Sequence, residues 1–187
     1  MSTKTILLGT VAFLTLATVY LTHSSYPYPS QTMQSIPTVT PTVSLSTISS
    51  HPPQLRITLH NPSPNPLTFI RYNSPLDPDI LTLGLVRITS LDGEDVSIVA
   101  VHLNRMWPPD EADIVELGPG NEERQVVGLA EPGVELEAGR KYLVWVEGSW
   151  MGLWGKGKAE VAEEEVESAG VVGGKTRWRS EEVVLRI

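Results

Sequence analysis

The alternation of apolar and polar residues that begins at Leu55 constrains the fold of this chain more than any other feature. Leu55, Ile57 and Leu59 alternate with polar neighbours, which is typical of a strand with one face in a core. Similar runs, separated by turn signals every eight to twelve residues, occupy 67–72, 85–89, 96–101, 114–117, 123–129, 142–146 and 183–187. This spacing predicts an all-β, immunoglobulin-like antiparallel β-sandwich of seven or eight strands.

One part of this domain has the composition of a helix rather than a strand. Residues 159–168 are rich in Glu and Ala and lie between two glycine-rich flanks, 152–157 and 170–174. We interpret residues 156–175 as an acidic insertion between the last two strands, either a short helix or a mobile loop.

The first fifty residues differ from the domain in composition. Lys4 precedes an apolar run, Ile6–Leu21, which is shorter than the ~20 residues of a spanning helix and suits a signal peptide, with an uncleaved signal anchor as the alternative. A tract dominated by Ser, Thr and Pro follows. We therefore predict a hydrophobic N-terminal helix (signal peptide or anchor) over 1–24, a disordered stalk over 25–53, and an extracellular β-sandwich domain over 54–187.

Composition excludes several classes of function. The formal net charge of −8 argues against binding to nucleic acids or anionic membranes, which requires basic surfaces, and the absence of cysteine excludes disulfides and thiolate sites. His60 and His102, the histidines of the domain, lack metal-ligand spacing, and no G-x-S-x-G motif occurs. Acidic residues that could contact calcium lack the EF-hand spacing and are interpreted as solvated turn residues: Asp77, Asp79, Asp92, Glu94 and Asp95. We predict a non-enzymatic protein with no catalytic residues, no cofactor and no metal.

Two groups of side chains are candidates for a binding surface. The first either caps the open end of the core or forms an exposed patch, and it consists of Trp150, Met151, Leu153 and Trp154. The second is either a solvated face or an acidic docking surface for a basic partner, and it consists of Glu163, Glu164, Glu165 and Glu167.

Six short segments carry a resemblance to a known family. They include an Asn-ended first strand, a strand that runs into an Asp-containing loop, and a Leu-Gly-Pro-Gly turn, and they occupy 55–61, 67–77, 86–96, 117–120, 136–144 and 180–185. Together they resemble the propeptide domain of fungal deuterolysin-type zinc metalloproteases, the penicillolysin-like group. The resemblance implies the fold and an ability to bind against a protease. It implies no catalysis, because the chain contains no H-E-x-x-H.

These observations favour an exported, propeptide-like module that binds a protein partner and docks on or inhibits a secreted protease. The alternative is a stalked cell-surface or wall-associated module that binds glycans through the Trp150–Trp154 loop. In both cases we expect a monomer that binds no nucleic acid and contacts a membrane only through an uncleaved N-terminal segment.

Overall fold

The computed structural model describes residues 40–130, 134–172 and 176–187. The predicted leader over 1–24 and residues 25–39 of the stalk predicted over 25–53 therefore lie outside the described residues. The described strands are β1 Thr42–Ser50, β2 Pro53–His60, β3 Leu67–Ile70, β4 Val86–Ser90, β5 Ile114–Leu117, β6 Glu122–Gly128, β7 Lys141–Ser149, β8 Leu153–Trp154, β9 Arg177–Arg179 and β10 Val183–Arg186. One α-helix, α1 Glu163–Val172, and two short 3₁₀ helices, Glu111–Asp113 and Lys158–Glu160, complete the regular structure of these residues.

The strands form three antiparallel sheets. The first sheet has the order β1-β2-β6, the second has the order β10-β7-β4 with β9 also paired to β7, and the third has the order β5-β3-β8. The predicted all-β antiparallel architecture is confirmed. The predicted number of seven or eight strands was too low, because β1, β8 and β9 were missed.

The core lies where the alternating faces of these strands meet. Leu55, Ile57 and Leu59 of β2 are completely buried, and Val144 and Val146 of β7 are buried from the second sheet. Each such side chain contributes about 1.5–3 kcal/mol when it leaves water, so the period-two pattern determines which face of each strand turns inward.

Strand β1 corrects the predicted boundary of the stalk. The segment Thr42–Ser50 was predicted to be disordered because of its Ser and Thr content, yet it pairs with β2 along nearly its whole length. Val43 and Leu45 point into the core while Ser44 and Ser46 are exposed. Two apolar side chains and a backbone ladder are enough to order a hydroxyl-rich strand, so the domain begins at or before Thr42 rather than at residue 54.

The segment 96–101, predicted as a strand, is not one. At its first end, Val96 N–H donates to the Ile88 carbonyl of β4 at 2.9 Å. At its other end, Val101 N–H donates to the Thr82 carbonyl at 2.9 Å. Between these ties, Ile98 forms a single bridge with Val134. The segment therefore crosses from the second sheet toward the first instead of extending a hairpin from β4.

Half of the acidic insertion is an α-helix, α1. Val166 and Ala169 of α1 pack on Ile70 and Trp154, which forms a second small core on the third sheet. The indole N–H of Trp107 donates to the Glu167 carbonyl at 3.1 Å and holds the helix from the side. Residues 173–175, at the end of the predicted insertion, lie outside the described residues.

Candidate functional site

The predicted tryptophan patch does not form a binding surface. Trp150, Leu153 and Trp154 are 3%, 4% and 0% exposed, and Met151 is half-buried beside α1. The Trp150 ring packs edge-on against Phe69 with 5.3 Å between the ring centroids. Of the two alternatives that the sequence left open, these side chains fill the core and do not form an exposed patch, because large aromatic rings fill the space between the sheets and beneath the helix.

The predicted acidic surface is present only in part. Glu163, Glu164 and Glu167 are exposed on α1. The Glu165 carboxylate instead turns inward, where it accepts hydrogen bonds from Lys156 Nζ at 2.6 Å and from Ala162 N–H at 2.9 Å. Burial raises the pKa of Glu165, but these hydrogen bonds and the Lys156 charge lower it by more, so the pKa lies below its ordinary value. Glu165 therefore stabilises the start of the helix, and a docking role for the other three glutamates stays a prediction.

Asp77 corrects the assignment of the loop carboxylates to solvated turns. This side chain has no exposed surface, and it accepts hydrogen bonds from Arg105 and from the backbone N–H groups of Asn73 and Asp79. The same loop holds Tyr72, whose hydroxyl donates to Asp113 at 2.8 Å. Burial and this hydrogen bond, with the nearby negative charges, raise the pKa of Tyr72 to about 12.

The described residues contain no group of three or more His, Asp or Glu side chains arranged to hold a metal ion. His60 ends β2, and His102 lies outside any strand. Within the same described ranges, the structure has no helix whose length and apolar character would let it cross a membrane.

The structure instead points to one edge of the first sheet. Strand β6 is the last strand of its sheet and pairs with β2 alone among the described strands. At the two ends of the β2–β6 ladder, Asn61 N–H donates to the Asn121 carbonyl and Leu129 N–H donates to the Pro53 carbonyl. These two bonds show which residues of β6 turn their backbone groups toward β2. In an antiparallel pair every second residue bonds to the same neighbour. The odd-numbered residues of β6 therefore face β2, and the backbone groups of the even-numbered ones face outward: Glu122, Arg124, Val126 and Gly128.

A hollow lies directly along this edge, and we call it the β6 hollow. Its volume is about 410 Å³. Most of its lining residues are apolar in type, but the surface that they expose in the hollow is mostly polar: Pro78, Leu81, Thr82, Ile98, Val99, Gln125, Val126, Val127, Gly128 and Val134. Val126 is 57% exposed and Val99 is 67% exposed, so two β-branched apolar side chains reach solvent around the hollow. An outward-facing backbone edge can pair with an added strand, and a hollow beside it can receive side chains of that strand.

Polar contacts fix the walls of the β6 hollow. The amide nitrogen of Gln125 donates to the Pro75 carbonyl at 2.8 Å and to the Asp77 carbonyl at 3.2 Å, which joins β6 to the loop that carries Pro78 and Leu81. Across the hollow, the backbone hydrogen bonds of Val96 and Val101 anchor segment 96–101 at both ends. Both walls are therefore set by the folded domain before any partner binds.

The β6 hollow was not predicted from the sequence, although the sequence contains one signal of it. Val126 and Val127 are adjacent apolar residues within one predicted strand. Because neighbouring residues of a strand point to opposite faces, one of the two must face away from the core. The lining from residues 78–82, 98–99 and 134 has no comparable signal, because these residues meet only in the folded domain.

Comparison with known proteins supports the fold and gives one relative. A protein of Arthroderma benhamiae named "Uncharacterized secreted protein" is 29% identical over 138 residues, which cover 72% of this chain and 70% of that protein. Neither this relative nor the family match is named for a metalloprotease propeptide, so that resemblance stays a prediction. A family model described as an immunoglobulin-like domain matches residues 41–187, and the chain belongs to that family.

Proposed function

We propose that this chain is an exported, non-enzymatic module that binds a protein partner by taking an extended segment of that partner as an additional strand along β6. The observation that carries the proposal is the outward-facing backbone of β6 beside the β6 hollow, which has room for side chains of an added strand. Export is supported by the leader-like run Ile6–Leu21 and by the name of the relative from Arthroderma benhamiae.

The resemblance to deuterolysin-type propeptides makes a secreted protease the first partner to test. Proteins commonly bind an open strand edge through an extended segment that pairs with it as a further strand. Glycan binding through the Trp150–Trp154 loop is not proposed, because three of its side chains are buried in the core.

The test uses the full chain, produced in a secreting host with a C-terminal tag and immobilised. Culture fluid of the source organism is passed over it, and retained proteins are identified by mass spectrometry and assayed for protease activity with and without the chain. A Val126→Pro variant removes an N–H that faces outward, so it blocks an added strand while leaving the ladder to β2 intact. The matched control is Val126→Thr, which keeps the N–H and the β-branched shape.

We expect the wild type and Val126→Thr to retain the same partner and Val126→Pro to lose it. Far-UV circular dichroism and urea unfolding establish that both variants fold. Retention that is unchanged by Val126→Pro would exclude strand addition at β6. A retained protease whose activity is unaffected would exclude inhibition, and recovery of polysaccharide alone would contradict protein binding.

A further inference from the structure

We infer that the β6 edge selects a segment that runs antiparallel to β6 and carries an apolar residue followed four positions later by a lysine or arginine. This inference rests on the proposed function and specifies the chemistry of the partner at the same site.

The direction follows from the pairing rules of this domain. Every strand pair in the described residues is antiparallel, and an antiparallel strand makes the slightly stronger ladder. An added antiparallel strand would meet Gly128 first and Glu122 last. Its backbone would bond to the outward groups of the even-numbered residues.

The position of the apolar residue follows from the faces of β6. Val127 is 8% exposed and lies on the core side of the strand, next to Leu81 and Ile98 in the lining of the hollow. A partner residue directly opposite Val127 projects to the same side, because opposite residues of a ladder share a face. That residue enters the β6 hollow on the side of Val127, Leu81 and Ile98, where an apolar side chain replaces water against these three apolar side chains.

The position of the basic residue follows from charge. At the other end of β6, Glu122 is paired with Arg124. Glu123 is exposed and, among the described residues, has no ion-pair partner. Glu123 lies four residues before Val127, so both share one face of the strand. A cation four positions after the apolar residue of an antiparallel partner would lie directly opposite Glu123, where opposite charges stabilise a strand pair.

The test measures binding of labelled seven-residue peptides to the full chain by fluorescence anisotropy. The probe is acetyl-Ser-Val-Thr-Thr-Thr-Lys-Thr-amide, in which valine would lie opposite Val127 and lysine opposite Glu123. One control peptide has the reversed sequence with the same composition, and the others replace lysine by glutamate or valine by serine. The protein variants are Glu123→Lys and Val126→Pro.

We expect the probe to bind about fivefold more tightly than the glutamate peptide and about tenfold more tightly than the serine peptide. We expect the Glu123→Lys variant to reverse the preference between the lysine and glutamate peptides. A reversed peptide that binds as well as the probe would overturn the antiparallel direction, and equal binding of all peptides, or none, would overturn the pattern. If the peptides show no preference while Val126→Pro still abolishes capture of the natural partner, this inference fails and the proposed function stands.

Discussion

The guanidinium of Arg105 lies 2.8 Å from the carboxylate of Asp77, a side chain with no exposed surface. Arg105 also contacts Asp79 at 2.9 Å, and its charge lies 5.0 Å from the centre of the Tyr72 ring. This ion pair joins two segments without regular secondary structure that both border the β6 hollow. The position of Pro78 and Leu81 in the hollow therefore depends on an ion pair between two residues, Asp77 and Arg105, that are distant from each other in the sequence.

We expect Arg105→Met to destabilise the domain by about 3 kcal/mol, because the buried Asp77 carboxylate would lose its cation and keep only the two backbone donors. The measurement is the free energy of unfolding in urea at neutral pH. The matched control is Arg87→Met, since Arg87 forms an ion pair with Glu147 at 3.2 Å on an exposed face and should change stability by less than about 1 kcal/mol. Equal effects of the two substitutions would contradict a structural role for the buried pair.

Gly152 is expected to tolerate no side chain. A Cβ at this position would lie 2.4 Å from Cη2 of Trp154 and 2.9 Å from Cδ1 of Ile70, both in the core beneath α1. Gly152→Ala should therefore lower the free energy of unfolding by about 1–3 kcal/mol. Gly128→Ala is the control, because a Cβ there meets nothing within 4 Å and alanine restricts the unfolded chain. We expect the melting temperature of Gly152→Ala to fall below that of the wild type and the melting temperature of Gly128→Ala to stay equal or rise. An unchanged melting temperature for Gly152→Ala would contradict close packing of Gly152 against Trp154 and Ile70.

The ion pair between Glu165 and Lys156 predicts a pH dependence of stability. The pKa of Glu165 is lowered in the folded state, so its contribution is fully present above its ordinary value of 4.5 and is lost as the pH falls through the folded-state pKa. Glu165→Gln should cost about 1–2 kcal/mol at pH 7, and this difference from the wild type should shrink below pH 4.5.

The measurement is urea unfolding of the wild type and Glu165→Gln at a series of pH values between 7 and about 3. Glu163→Gln is the matched control, because Glu163 is exposed in the first turn of the same helix and should show a small difference at every pH. A Glu165→Gln difference that stays constant down to pH 3 would exclude the charged pair as its source.

Local composition was misleading for Thr42–Ser50 and left the environment of Trp150–Trp154 open. Ser and Thr content favoured a disordered stalk, yet the β2 ladder and two apolar side chains order β1. The clustered tryptophans left a core cap and an exposed patch as alternatives, and the packing of Trp150 on Phe69 and of Trp154 beneath α1 decides for the core. In each case the deciding contact is with a segment distant in sequence, which local composition does not specify.

Local sequence determined the fold class of this protein, because alternating side chains must point to opposite faces and the apolar face must be buried. It also determined strands such as β2 and β7, whose periodicity is strong. Only the tertiary structure decided which strand has an open edge, that segment 96–101 leaves β4, and that residues around 78, 98 and 134 meet β6 in one hollow. The physical reason is that the identity of an edge depends on which strands find partners, and pairing between distant segments is set by the packing of the whole core rather than by any one of them.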